Sequence, residues 1–179
     1  GSQVAITRST DWVSYTLDVI NSDGSNLRTL IHPSGFATLP RPGDALASVP
    51  NQLSWVPGTR SLAMTTRITY DGPGYQTGEN LYIIDSDTSE MRVLFNFATQ
   101  WGWHYAISPD GTKIAVSYPE GMEIYDSSGA KLDRPVLTYP FINTASDYAW
   151  VASPEWSADS STLVVVVPPQ DPWSVPAAD

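Results

Sequence analysis

Apolar residues in this chain come in short runs separated by polar, turn-forming segments, and one such arrangement is written three times. Residues 55–64 (WVPGTRSLAM), 107–116 (ISPDGTKIAV) and 156–165 (WSADSSTLVV) align without a gap, at offsets of 52 and 49 residues. Each begins at the end of a strand-like segment, strand a, closing on Trp55, Ile107 or Trp156. A turn follows, built on Pro57-Gly58, Pro109-Asp110-Gly111 or Ala158-Asp159-Ser160, residue types that bend the backbone at low cost. Strand b comes next, at 62–65, 114–117 and 163–167, and residues 4–7 match it too. Strand c recurs at 17–20, 81–84 and 122–125, with apolar first and third positions, the alternation of a half-buried strand. Polar turns at 21–24, 85–88 and 126–129 lead to strand d at 27–31, 91–95 and 132–137. No stretch carries a capped 3.6-residue apolar period, so essentially no helix is expected.

Four short antiparallel strands in a unit of about 40–50 residues make one β-propeller blade, which buries its faces only against its neighbours. Ile107-Ser108-Pro109-Asp110-Gly111-Thr112-Lys113-Ile114-Ala115, the weaker Trp156-Ser157-Ala158-Asp159 and the aspartate-bearing turns between strands c and d resemble the TolB-type, WD-repeat-like propeller family. Trp55-Val56-Pro57-Gly58 departs from that pattern by lacking the aspartate. The fold implied is all-β: a partial β-propeller of four-stranded antiparallel blades, about three of them, with essentially no helix. The strands read b-c-d, a-b-c-d, a-b-c-d, a-b, in blade pieces 3–31, 51–97, 98–139 and 150–179 of one domain spanning 3–179. Such a count is too small to close a ring, so either the chain is a fragment of a longer propeller or copies associate through exposed blade edges.

Composition narrows the function classes. Nineteen acidic against nine basic residues give a formal charge of −10, which repels nucleic acid and anionic membranes. The absence of cysteine removes disulfides, thiolate catalysis and zinc–thiolate sites. No apolar run is long enough to span a membrane, and 163–167 suits a buried strand. Gly1-Ser2 reads as a tag-cleavage scar, compatible with a signal peptide or anchor upstream. Low charge density and fifteen prolines lean towards export, and the resemblance implies a bacterial periplasmic, cell-surface or secreted setting.

In an antiparallel meander the a–b and c–d turns lie at one end and the b–c and d–a connections at the other. The long connections, 32–51, 68–80, 139–153 and the tail from 168, are all of the second kind. Elaborated loops on one face of a repeat array usually carry the binding function. Trp101 and Trp150 stand 49 residues apart, in register with Ile107 and Trp156, beside Trp103, His104, Tyr105, Asp147 and Tyr148. The resemblance implies that first strands line a central channel, placing these seven residues near its loop-side mouth as the candidate binding set. Their rings suit stacking on a sugar or gripping a peptide, while a packing role as wedges between blades is the competing reading for Trp101 and Trp150. Trp55 and Trp156 occupy a core position of the repeat.

Catalytic chemistry finds little support. His32 and His104 stand in no nucleophile motif, no G-x-S-x-G occurs, and neither histidine has a metal-spaced partner. Residues 85–90 alternate oxygen ligands like the start of a calcium loop but lack its glycine and distal glutamate, so an Asx-rich hairpin is expected. Glu120 and Glu123 flank a tight turn without the disposition of an acid/base pair, and no glycine-rich phosphate cradle is present. The expectation is a non-enzymatic interaction module, without cofactor or metal, binding a protein or peptide through its loop-rich face. Two alternatives stand beside it: a substrate-gating propeller domain of a larger enzyme of the prolyl oligopeptidase type, and a carbohydrate-binding module using Trp101 and Trp150.

Overall fold

The computed structural model describes residues 3–72, 75–97, 102–132, 136–145 and 148–167, with only the backbone at Tyr75, Ala145 and Tyr148. The chain divides into two compact units, Gly1–Ala98 and Thr99–Asp179.

The first unit holds a three-stranded sheet, β1 (Gln3–Ser9), β2 (Tyr15–Asn21) and β3 (Arg28–Ile31), followed by a single helical turn, α1 (Pro33–Ala37). A second sheet runs β4 (Ala47–Trp55), β5 (Ser61–Thr69), β7 (Asn80–Asp85), β8 (Met91–Asn96), with β6 (Tyr75–Thr77) also paired to β5. The expected 68–80 loop is therefore mostly a hairpin. β5 continues to Thr69, β6 pairs with its far half and β7 with its near half. Gly78, at the break between β6 and β7, donates its N–H to the Thr66 carbonyl at 2.8 Å. A Cβ at position 78 would collide with Thr66 Oγ1, so the close approach of these backbones requires glycine.

The second unit holds the sheet β9 (His104–Ile107), β10 (Lys113–Tyr118), β11 (Gly121–Asp126), β12 (Leu137–Thr138), in the spatial order β12-β11-β10-β9. A small hairpin, β13 (Asn143–Ala145) with β14 (Tyr148–Ala149), occupies the long 139–153 connection, and β15 (Glu155–Trp156) pairs with β16 (Leu163–Val164). All pairings in both units are antiparallel. The succession b-c-d, a-b-c-d, a-b-c-d, a-b is the one expected. Strand d of the third set is shorter than 132–137: it comprises Leu137–Thr138 and an isolated bridge from Lys131 to Tyr125. The first a strand starts at Ala47 rather than 51.

One stacking rule serves both units. In the first, Leu17 and Val19 of strand c pack against Leu62 and Met64 of the next strand b, with Trp55 at the margin. In the second, Met122 and Ile124 of strand c pack against Leu163 and Val165 of the next strand b, with Trp156 at the margin. Trp156 also donates its indole N–H to the Ala106 carbonyl at 3.0 Å, and the Lys113 ammonium lies over its ring, 5.7 Å from the centroid. A repeat that presents the same residues to the same neighbour is how blades bury faces no single sheet can hide. Each fully buried Leu or Met contributes about 1.5–3 kcal/mol by leaving water.

The short helix departs slightly from the all-strand expectation. Pro33 fixes φ at its first position and Phe36 is buried, yet one turn is too short to show an amphipathic period. Among the described residues no helix is long and apolar enough to cross a membrane.

Candidate functional site

At the a–b end, two of the three repeated turns share an atomic plan. Asp110 accepts from Ser108 Oγ (2.6 Å), Thr112 N–H (3.0 Å) and Thr112 Oγ1 (2.9 Å), while Ser108 Oγ accepts from Lys113 N–H. Asp159 accepts in the same way from Ser157 Oγ, Ser161 N–H and Ser161 Oγ, and Ser157 Oγ accepts from Thr162 N–H. These hydrogen bonds, from the serine hydroxyl first, hold both carboxyls at about 2. The turns also meet: Asp110 N–H donates to Ser160 Oγ at 3.0 Å. The first repeat reaches the same bend differently. Gly58, at φ +73, follows Pro57 in the type II arrangement, and Thr59 supplies the local hydroxyl.

The c–d turns are Asx turns. Asp85 accepts from the N–H groups of Asp87 and Thr88, and Asp126 from those of Ser128 and Ala130. The calcium-like run 85–90 is thus a hairpin turn whose first carboxylate serves its own backbone. Among the described residues no group of three or more His, Asp or Glu side chains is gathered to hold a metal ion.

The opposite end differs. In the first unit, three clefts lie there among the described residues. One of about 250 Å³ lies between Pro40–Pro42 and the Gly78–Asn80 break. A second, of about 350 Å³, is lined by Val13, Phe36, Arg41, Leu46 and Ser48. A third, of about 390 Å³, is lined by Trp12, Val13, Leu46, Arg67, Thr69 and Tyr70. The 10–14 turn is tied by Asp11, whose carboxylate accepts from the Val13 and Ser14 N–H groups, leaving the Trp12 ring 89% exposed.

The sequence-derived binding set is dispersed by burial. Trp103 and Tyr105 lie in the interior of the second unit, 1% and 2% exposed, their rings tilted at 49° with centroids 6.4 Å apart. His104, between them in sequence and the first residue of β9, points the other way and is exposed. Trp150 is half-buried, edge-on to Tyr139 at 5.6 Å, and lines a cleft of about 470 Å³ with Val151, Glu155 and Val164–Val166. Trp101, Asp147 and the Tyr148 side chain lie outside the described residues. Alternation along a strand separates Trp103 and Tyr105 from His104, so adjacency in sequence does not make them one surface. Trp12 was not among the expected residues. The available signal was a tryptophan in a polar turn, Ser9-Thr10-Asp11-Trp12, where no core strand would place it.

Asp18, in the middle of β2, has no exposed surface. It accepts from Arg8 Nε (2.7 Å), Thr16 Oγ1 (2.7 Å) and Thr29 Oγ1 (2.6 Å), and the Arg8 bond foremost holds it at about 2. With its acceptor sites answered, it is a structural carboxylate rather than a poised base.

No family model matches the chain, and no curated protein matches it. Among solved structures it is similar to TolB from Acinetobacter baumannii, at 12% identity and a TM-score of 0.39. The match covers 93% of this chain and 47% of that one, so the chain spans about half of the TolB length. No functional residue is carried across from it.

Proposed function

We propose that this chain is a non-catalytic interaction module that binds a protein or peptide at the end of its sheets carrying the long connections, in a bacterial envelope or secreted setting. The observation that supports this reading is the placement of three clefts of the first unit at that end, beside exposed Trp12, Val13 and Leu46. Repeated turns at the other end spend their polar atoms on themselves. Loops held on a rigid sheet scaffold, with apolar groups in water, are the usual form of a recognition surface. That β1 offers its outer edge to another copy is part of the same proposal.

Site-specific photocrosslinking tests it. A crosslinking residue replaces Leu46 or Tyr70 at the long-connection end, or Ser25 or Thr88 at the tight-turn end, and each protein is exposed to the native envelope fraction. Discrete adducts from Leu46 and Tyr70 alone are expected. Adducts from Ser25 and Thr88 instead, or equally, would refute the proposed surface.

A carbohydrate reading has one observation of its own, the cleft of the second unit that Trp150 lines with Glu155. A glycan array probed with the parent chain and with Trp150→Ala decides it, and absence of binding by the parent chain sinks it.

A further inference from the structure

The two neighbouring clefts at the long-connection end of the first unit share Val13 and Leu46 as a common wall. On one side stand Trp12 and Tyr70 with Arg67; on the other stand Phe36 and Ser48 with Arg41. Three of these residues are large apolar side chains left in water: Trp12 at 89%, Val13 at 41% and Leu46 at 54% exposure. A tryptophan this exposed is a standing cost unless something covers it, and tryptophan and arginine are the side chains that most often anchor an interface.

Charge makes the pair of clefts unusual for this protein. The chain carries 19 acidic and 9 basic residues, yet among the described residues no Asp or Glu lines either cleft while each has an arginine. The nearby acids are turned elsewhere or stand outside. Asp11 is committed to the Val13 and Ser14 N–H groups, and Asp44 and Asp71 adjoin the lining without joining it. Arg41 donates to the Ala37 carbonyl at 2.8 Å, and no carboxylate pairs with it among the described residues. Ser48 Oγ, in a residue 2% exposed, lines the same cleft without a hydrogen-bond partner.

We propose that this double cleft is a docking site for an extended, acidic peptide segment of another protein, laid across the Val13–Leu46 wall. The inference rests on the interaction-module reading and names its residues and ligand chemistry. Aliphatic or aromatic side chains of the segment cover Trp12 and Leu46, and a carboxylate of the segment meets Arg41. In an extended chain alternate side chains point the same way about 6–7 Å apart, so one segment serves both clefts. A nucleic acid is disfavoured, because its phosphates would leave the apolar wall of Val13 and Leu46 uncovered.

A displayed library of random short peptides, selected on the intact chain, tests the site. Selected peptides are then synthesised and titrated by fluorescence anisotropy against the parent chain, Trp12→Ala, Arg41→Glu and the distant control Thr88→Arg. Thermal melts show that each variant is folded. Enrichment of Asp or Glu flanking Leu, Ile or Phe is expected, with each cleft variant weakening binding about tenfold or more and the control leaving it unchanged. Added salt should weaken binding further. Selected peptides that are basic, or that bind both cleft variants as tightly as the parent, overturn the inference. So does a selection that enriches nothing, or Arg41-dependent binding of a single-stranded oligonucleotide in place of peptides. If adducts from Leu46 and Tyr70 to a folded envelope protein persist in any of those cases, the interaction-module reading survives and only the acidic-segment proposal falls.

Discussion

The two ends of these sheets are made from the same strands and follow opposite rules. At the tight-turn end, carboxylates, hydroxyls and backbone amides answer one another within a few residues, as in the Ser108–Asp110–Thr112 and Ser157–Asp159–Ser161 boxes. At the long-connection end of the first unit, the apolar side chains of Trp12, Val13 and Leu46 stand in water, arginines face clefts, and a buried serine hydroxyl has no partner. The repeated end is chemically closed and the unrepeated end is open. Repetition here is a property of scaffold, because a turn that must recur in every unit has to be satisfied by what the unit itself carries.

Four variants test this contrast. The largest effect is expected from Leu62→Ala, which lies in the interface between the first two sheets and supports both ends; removing a fully buried leucine costs about 2–5 kcal/mol. Denaturant unfolding measures it, and a loss below about 1 kcal/mol would disprove the stacking described. Gly78→Ala comes next. Its Cβ must displace the buried Thr66 hydroxyl, a local overpacking of about 1–3 kcal/mol, read by the same titration.

The acid limb of stability is the third. Asp18, Asp110 and Asp159 are held at about 2 in the folded chain, below the ordinary value of about 3.9 expected on unfolding. A depressed folded pKa means the folded state binds fewer protons, so this stabilisation is complete above about pH 4 and is lost as pH falls through about 2. Replacing both turn aspartates (Asp110→Asn with Asp159→Asn) should flatten that fall without erasing it, since Asp18 remains. An unchanged profile of Tm against pH would show that the boxes are not charge-stabilised. The smallest effect belongs to Trp12→Ala, expected to alter unfolding free energy by no more than about 0.5 kcal/mol despite the size of the side chain. A clear loss of Tm would instead make Trp12 a packing residue and remove the main apolar element of the open end.

Much of the fold was legible from particular residues. Pro109-Asp110-Gly111 announced its turn because the hydrogen bonds of the Asp110 carboxylate close within two residues, and Leu17/Val19 announced a strand face because alternation is local. The candidate site was legible only in its general position. Trp103, His104 and Tyr105 look like one aromatic surface in sequence, yet two of them are interior and the third faces outward. The half-buried reading of strand c failed in every sheet: Leu17, Asp18 and Val19 in the first, Leu81, Tyr82 and Ile84 in the second, and Met122, Glu123, Ile124 and Tyr125 in the third are all buried.

The sequence by itself determined the strand order, the antiparallel meander, the self-satisfied turns and the end at which long connections emerge, since each depends on neighbours a few residues apart. Only the tertiary structure decided which face of each strand meets the next sheet, which tryptophans pack and which stand in water, and where clefts open without a carboxylate. Those outcomes depend on how segments tens of residues apart are brought together, as Val13 and Leu46 are in lining the same clefts. No local pattern encodes which distant side chain will close a cavity or leave it open.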